Sequence, residues 1–169
     1  MPLTTDQLQI LKADIAAHPI YGSLPHTGEN AYTIAEGYNQ LASPVFWVWR
    51  TSLPEQEVYE ATSPDATHWN WATYKAQTVQ DRDSWARMFN PGQVNPSLQQ
   101  TRDGWLAIFG GQGASQTQVN FLLSLGRRHA SEAEKLFAVS GTGAAATPGV
   151  MGFEGDLTGS DVDQAWALP

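Results

Sequence analysis

Residues 141–162 read "GTGAAATPGVMGFEGDLTGSDV", and this stretch decides whether the last quarter of the chain packs on its own body or leaves it. Residues 140–149 have small side chains and no large apolar anchor, which is typical of a flexible or extended linker. Val150–Phe153 is a predicted short strand, and residues 158–169 hold a predicted short helix. Two such small elements have no core of their own. We therefore expect them to dock on their own body or on another subunit.

The rest of the chain is predicted to be mainly α. Apolar residues recur at helical spacing, which indicates a bundle of about five to six helices with a small β element and an extended C-terminal arm. Residues 43–54 are bounded by prolines and rich in aromatics, which predicts a strand or a buried helical turn. The side chains of residues 68–74 alternate with a period of two, which indicates a possible strand. The predicted helices cover residues 4–17, 30–41, 55–61, 79–89, 95–109 and 115–139. A capping box of Thr4 and Gln7 opens the first, and Asn95 is the predicted cap of the fifth. The last is predicted to be interrupted at Gly126.

These features predict three parts along the chain. Residues 1–139 form a helical body, residues 140–149 a Gly/Ala-rich linker, and residues 150–169 a C-terminal docking arm. The division follows from composition, because large apolar residues are missing only between the body and the arm.

The charge balance excludes several classes of partner. The chain has 169 residues, with nine Lys and Arg against 17 Asp and Glu, a net charge of −8. Binding to nucleic acid or to an anionic membrane needs a basic face, so specific DNA binding and membrane association are not expected. The N-terminus has no basic and apolar leader, which predicts synthesis in the cytoplasm. Cysteine is absent, so disulfide and thiolate chemistry are excluded.

The sequence predicts neither a metal site nor a cofactor nor an enzymatic activity. The four histidines, His18, His26, His68 and His129, are far apart and show no ligand spacing. Residues 110–115, GGQGAS, precede a helix but lack the Lys-Ser/Thr of a phosphate-binding loop. No convergent acid–base pair stands out among the carboxylates, so the expected function is not catalytic.

Two tryptophan pairs support a competing hypothesis. Trp47 with Trp49 and Trp69 with Trp71 each read W-x-W. Exposed aromatic rings stack on sugars, so a carbohydrate-binding or lytic accessory module is the alternative from a different class. In an ordered chain such rings belong more often to the core or to a subunit interface, which is the interpretation favoured here.

Two stretches resemble a family of small structural proteins encoded by tailed bacteriophages. Residues 43–53, SPVFWVWRTSL, are similar to the family's Ser-Pro-x-Phe-x-Val-Trp-Arg-Thr motif, and residues 127–162 to its Glu-Lys-Leu-Phe-Ala helix, Gly/Thr/Ala/Pro-rich segment and Phe-Glu-Gly arm. The matching residues are Phe46, Val48, Trp49, Arg50, Thr51, Ala130, Ser131, Glu134, Lys135, Leu136, Phe137, Ala138, Phe153, Glu154 and Gly155. Residues 89–105 align more loosely, and the resemblance spans most of residues 1–166.

The resemblance implies a non-enzymatic protein of the virion neck. The leading expectation is a head-to-tail adaptor, in which about twelve copies form a ring under the portal protein. Such a ring contacts tail or nozzle proteins and surrounds DNA that passes through the lumen without specific binding. An acidic wall suits such a conduit because it does not hold phosphates. A capsid decoration protein or a tail structural protein is the alternative within the virion.

In this family context the C-terminal arm is expected to be the binding device. It would add a strand to a partner and insert apolar anchors. The predicted partner-binding residues are Val150, Met151, Phe153, Glu154, Asp156, Val162 and Trp166. The predicted interface or structural residues are Phe46, Trp49, Arg50, Arg127 and Arg128. Because Arg50 follows five apolar residues, we expect it to make a charge-assisted contact.

Overall fold

The computed structural model describes residues 2–169, and within this range it contains nine α-helices and six short strands. The mainly α fold class is therefore confirmed. In chain order the helices are α1 (Thr5–Ala17), α2 (Gly28–Tyr38), α3 (Glu55–Glu60), α4 (Trp71–Lys75), α5 (Val79–Met88), α6 (Gln99–Phe109), α7 (Ala114–Leu125), α8 (Glu132–Leu136) and α9 (Gly159–Ala167). The strands are β1 (Trp47–Trp49), β2 (Leu53–Pro54), β3 (Gln93–Val94), β4 (Arg127–His129), β5 (Ala138–Ser140) and β6 (Val150–Met151).

The chain divides into two compact units. Unit 1 comprises the residues up to Val48 together with His129–Pro169, and unit 2 comprises Trp49–Arg128. The predicted boundaries at residues 139/140 and 149/150 both fall inside unit 1. They differ from the observed division because residues 140–169 return to the N-terminal helices instead of forming a separate part.

Side-chain caps set the starts of several helices. Thr4 and Gln7 exchange hydrogen bonds at the start of α1, as the sequence predicts. The cap of α9 is Thr158, whose hydroxyl accepts from the backbone N–H of Asp161 (3.2 Å) while the Asp161 carboxylate accepts from Thr158 N (2.8 Å). A third capping box opens α8 at Ser131. Each box satisfies amide groups that a helix start would otherwise leave unpaired.

Two sequence predictions in unit 2 are wrong, and both errors involve asparagine. Residues 68–74 are not a strand, because the Asn70 side chain accepts from Thr73 N (3.0 Å) and caps α4 instead. The helix predicted from Asn95 begins only at Gln99. Asn95 accepts instead from Ser97 N (2.9 Å), which closes a turn ahead of the helix. Asparagine bonds its neighbouring backbone in either setting, so its presence alone does not fix the helix start.

The helix predicted over residues 115–139 is interrupted twice. It ends at Leu125, and Gly126 is followed by β4, then by α8, then by β5. Strand β5 pairs antiparallel with β6, with Ala138 opposite Met151. Strands β4 and β5 explain why the bundle has more and shorter helices than predicted, since only residues 132–136 of this stretch remain helical.

The core of unit 1 lies where α1, α2 and α9 pack together. Leu11 on α1, Ile34 on α2 and Val162 on α9 expose none of their surface. The buried residues of this core are Leu3, Leu8, Leu11, Ile15, Ala31, Ile34, Ala35, Tyr38, Ala133, Phe137, Leu157, Val162 and Ala165. Removing α9 would therefore expose the apolar faces of both other helices.

Unit 2 has a core rich in aromatic rings. Trp85, Trp105, Phe109 and Phe121 are almost fully buried there. Strands β2 and β3 pair antiparallel beside them, with Leu53 opposite Val94. Large rings supply most of the buried apolar area in a unit of only about eighty residues, a size at which core area limits stability.

The C-terminal segment, residues 150–169, belongs to the core of unit 1. Asn39 holds Leu157 by two hydrogen bonds, from Leu157 N to Oδ1 (2.7 Å) and from Nδ2 to Leu157 O (2.9 Å). Lys12 Nζ donates to the carbonyl of Leu168 (2.5 Å). The extended C-terminal arm is therefore not confirmed, because the apolar face of α9 is already buried against α1 and α2.

Residues 140–149, predicted to be a flexible linker, form a hydrogen-bonded turn. Thr142 N donates to Thr147 O (3.0 Å), and Thr147 N donates back to Ala144 O (2.9 Å). The hydroxyls of Thr142 and Thr147 also bond each other. The small side chains thus allow the backbone to pack closely here. The sequence alone does not distinguish this role from flexibility, because both need the same composition.

The packing of α9 predicts that Val162→Asp destabilises the protein strongly. An unpaired carboxylate placed against α2 should lower the free energy of unfolding by about 3–5 kcal/mol. Val139→Asp is the matched control, because Val139 lies in the same unit and exposes 70% of its surface. Urea denaturation followed by circular dichroism measures both. Equal, small effects of the two substitutions would show that α9 is not part of the core.

Candidate functional site

The candidate site is the part of unit 1 formed by the C-terminal segment and Phe46. The Phe46 ring lies half-buried directly against the glycine-rich turn. A Cβ atom built on Gly143 would stand 2.0 Å from Phe46 Cδ2, and one on Gly149 would stand 2.8 Å from Cε1. Gly143 also has a φ of +73°, which residues with a side chain rarely adopt. Glycine is required at both positions because the ring fills the space of a side chain.

The backbone beside Phe46 ties the turn to strand β1. Trp47 N donates to Gly143 O (2.8 Å), and Trp47 O accepts from Gly149 N (2.8 Å). We call Phe46, Trp47, Gly143 and Gly149 the glycine clasp. The clasp fixes both ends of the turn, so the chain enters β6 from a defined position.

Strand β6 contains the first predicted partner-binding residues, Val150 and Met151. Its pairing with β5 uses backbone groups that strand addition to a partner would need. Val139 at the centre of β5 is the more exposed apolar residue of this sheet, with 70% of its surface accessible. The apolar contact surface offered by this sheet is therefore on β5 and not on the strand that the sequence favours.

The two predicted aromatic anchors contact rings of their own unit. Phe153 packs edge-on against Phe137, with the ring centroids 5.5 Å apart. Trp166 is stacked on His26, with a centroid distance of 4.3 Å and an angle of 9° between the planes. Both anchors are half-buried, so each keeps a face that a partner can reach.

The remaining predicted partner-binding residues are divided by burial. Glu154 and Asp156 are exposed, whereas Val162 is buried in the core. The structure therefore brings the predicted set into one unit but does not gather it into one surface. Val162 serves packing rather than recognition in this conformation.

The predicted interface residues outside Phe46 lie in unit 2. Arg50 donates two hydrogen bonds to Glu57, from Nη1 to Oε1 (2.5 Å) and from Nη2 to Oε2 (2.7 Å). The expected charge-assisted contact is confirmed as an internal ion pair. The hydrogen bonds from Arg50 lower the pKa of Glu57, although partial burial opposes this shift.

Trp49 and Arg127 also have internal partners in unit 2. The Arg102 guanidinium lies over the Trp49 ring at 4.5 Å, a cation–π contact. Partial burial lowers the pKa of Arg102. Arg127 Nη2 lies 3.0 Å from an Asp65 carboxylate oxygen. Arg128, the neighbouring residue of β4, is half-buried.

The tryptophan pairs do not form a common platform. Trp49 and Trp69 are buried, Trp47 is half-buried, and Trp71 exposes 47% of its surface. Trp71 is the exposed edge of an aromatic cluster and lies 4.8 Å from the ring of Tyr59. Three of the four rings thus serve packing, as the sequence argument favours, and one remains accessible.

Sequence reasoning did not identify Glu134 as a capping residue. Its side chain exposes only 4% of its surface. One oxygen accepts from Ser131 N (3.1 Å), and the other lies 3.5 Å from Gly155 N. The S-x-x-E spacing of residues 131–134 was the signal that could have identified it as a capping residue.

Two kinds of site are not seen in residues 2–169. No three or more histidine and carboxylate side chains of that range are arranged to hold a metal ion. None of the helices described combines the length and apolar character needed to cross a membrane.

The Arg50–Glu57 pair predicts a pH-dependent loss of stability in Arg50→Met. Because folding lowers the pKa of Glu57, the pair stabilises the fold above the ordinary carboxylate pKa of about 4.5 and loses this contribution as the pH falls through the lowered value. The substitution should cost about 1–3 kcal/mol at pH 7. The difference from wild type should shrink as the pH falls through the lowered pKa of Glu57.

Urea denaturation at several pH values measures this difference. Arg87→Met is the control, because Arg87 is an exposed arginine of α5 in the same unit. It should change the free energy of unfolding by less than about 0.5 kcal/mol at any pH. A pH-independent loss in Arg50→Met would contradict the assigned role of the ion pair.

No family model, no curated protein and no solved structure matches the chain. The clasp, the C-terminal segment and the ion pairs are therefore interpreted from their own geometry and chemistry.

Proposed function

We propose that the chain is a structural protein of a tailed-phage virion that acts as the head-to-tail adaptor. In this role copies of the chain form a ring under the portal protein, and DNA passes through the lumen. The proposal starts from the resemblance carried by residues 43–53 and 127–162. The net charge of −8 supports it, because a conduit for DNA must not bind phosphates.

The observation that carries the proposal is the way in which α9 is attached. Its buried face consists of Val162 and Ala165. Asn39 holds Leu157, ahead of the helix, by two hydrogen bonds. The segment before it contains Gly155, whose φ of +116° and open surroundings suit a hinge. A helix that follows a glycine hinge, and whose contacts an identical subunit can reproduce, can be exchanged between subunits.

Exchange makes ring closure energetically inexpensive. A neighbouring copy offers the same α1 and α2 faces, so the contacts of Val162 and Ala165 are reproduced rather than lost. Releasing α9 without such a receptor would expose apolar area worth several kcal/mol, at roughly 2 kcal/mol for each large apolar side chain. We therefore propose that α9 binds its own unit in the monomer and the neighbouring subunit in the ring.

The exposed aromatic and apolar side chains are proposed to contact the other virion proteins. Phe153 and Trp166 each keep an accessible face, and Val139 is exposed on β5. Glu154 and Asp156 follow Phe153 in the sequence, are exposed, and would fix register through polar contacts at the rim. A capsid decoration or tail protein would use the same residues on a different partner.

The exposed ring of Trp71 supports the second candidate, a carbohydrate-binding module. A sugar ring stacks on one accessible aromatic face. The burial of Trp49 and Trp69 weakens this candidate, because the two tryptophan pairs then provide a single accessible face. Binding to polysaccharide by a monomer would favour it over the adaptor.

The experiment is native mass spectrometry of a double variant, Tyr32→Cys with Gly159→Cys. A Cβ atom on residue 159 stands 3.5 Å from Tyr32 Cα, and the chain contains no other cysteine. Reduced protein should form closed rings, alone or with the portal protein. Oxidising the monomer first should lock α9 and abolish the rings, whereas oxidising the assembled ring should yield covalently linked multimers.

The reduced double variant and both single variants are the controls. Rings that form equally well from the locked monomer would overturn the exchange of α9. If the chain stays monomeric in the presence of the portal protein, in both the reduced and the oxidised state, the proposed adaptor function would be overturned.

A further inference from the structure

A cavity of about 380 Å³ opens in unit 1 where α1 and α2 end. Its walls include Asp14, His18, Tyr21, Tyr38 and Glu132. Its volume lies in the range of small-ligand sites. None of the residues of α9 lines the cavity.

The charged side chains in the lining of the cavity are acidic. Two carboxylates, those of Asp14 and Glu132, lie at its wall, and no lysine or arginine is among its lining residues in the described chain. The C-terminal ends of α1 and α2, which carry the negative ends of the helix dipoles, also meet here. Lys135 is paired with Glu132 at 2.9 Å, so Asp14 supplies the carboxylate of the wall that has no ion-pair partner among the described residues.

One wall is a set of aromatic faces. His18 and Tyr21 are stacked with their centroids 4.0 Å apart, and Tyr21 lies 5.9 Å from Tyr38. Tyr21 fits because residue 37 is glycine, since a Cβ there would stand 1.9 Å from the Tyr21 hydroxyl oxygen. Aromatic faces attract cations, and most strongly where water is partly excluded.

One carboxylate oxygen is left to accept a ligand. Tyr38 donates its hydroxyl proton to Asp14 Oδ2. Burial, and then the bond to Asp14, raise the pKa of Tyr38, so the phenol remains a neutral donor. Both oxygens of Glu132 are used, by Ser43 N (2.7 Å) and by Lys135 Nζ (2.9 Å). Asp14 Oδ1 accepts no hydrogen bond from the described residues.

We propose that this cavity binds an alkylguanidinium group, with Asp14 as its anion and the Tyr21 ring as its stacking face. A guanidinium is planar and always charged, and it both stacks on aromatic rings and donates to carboxylates. A compact ammonium would use the charge of Asp14 but not the flat wall. The group belongs either to an arginine side chain presented by a protein partner or to a free small guanidine.

The test is a titration of the full-length protein with ethylguanidine, in which the NMR signals of the Tyr21 and His18 rings are monitored. Ethylurea is the matched probe, because it has nearly the same shape and no charge. Ethylguanidine should cause saturable shifts confined to the cavity, and ethylurea should cause none at the same concentration. Equal binding of the two probes would overturn the proposal, since shape and not charge would then be recognised.

Asp14→Asn should weaken ethylguanidine binding at least tenfold, because the amide oxygen still accepts from Tyr38 but the charge is gone. Glu29→Gln is the control, since it removes one exposed carboxylate from the other end of α2 and should leave binding unchanged. Tyr21→Leu should weaken binding severalfold. Undiminished binding in Asp14→Asn, with the folded spectrum retained, would overturn the proposal.

The two sources of the group are separated by a peptide, acetyl-Gly-Arg-Gly-amide. Binding at least tenfold tighter than that of ethylguanidine would assign the cavity to an arginine presented by a protein. Binding no tighter than that of ethylguanidine would assign it to a free guanidine. Failure of both the peptide and ethylguanidine to shift the cavity signals at millimolar concentration would contradict the proposal.

Discussion

The contact between the Phe46 ring and the backbone of Gly143 and Gly149 is the constraint on which unit 1 depends. The ring occupies the space that side chains at these positions would need, and strand β1 bonds the backbone on both sides of it. The glycine-rich turn therefore has one path. That path delivers the following residues to β5, and the chain then continues to Leu157 and α9 on the faces of α1 and α2. A segment that looks unable to bury itself is buried because its small residues permit this close approach.

Charged side chains in this chain are few and are mostly used for internal contacts. Only 15% of the residues are charged, and several of the cations have an assigned partner: Arg50 with Glu57, Arg127 with Asp65, Lys135 with Glu132, and Arg102 over Trp49. Pairing of this kind fixes geometry where a charge would otherwise lie unpaired beside apolar residues. It leaves the acidic excess at the surface and in the cavity beside Asp14, and that excess selects cationic over anionic partners.

Local signals in the sequence predicted much of the fold. The capping box of Thr4 and Gln7 and the helical spacing of apolar residues act through neighbouring residues, so one stretch of sequence contains the whole cause. Asn70 and Asn95 were misjudged because asparagine caps helices and closes turns with the same hydrogen bonds. The clasp and the burial of α9 could not be predicted from local pattern. The clasp joins Phe46 to glycines about a hundred positions away, and α9 packs on α1 and α2 from the other end of the chain. The cavity likewise unites Asp14 with Glu132, which no spacing rule connects.

Hydrogen exchange of the monomer at low concentration tests most directly whether the C-terminal segment belongs to the fold. The amides of Trp47, Gly149 and Gly152 donate to Gly143 O, Trp47 O and Phe137 O. They should exchange at least roughly a hundredfold more slowly than free peptide amides, at rates that approach those of α1 and α2. Exchange of residues 141–168 at the rate of an unstructured peptide, with α1 and α2 still protected, would contradict the clasp and restore a free C-terminal arm.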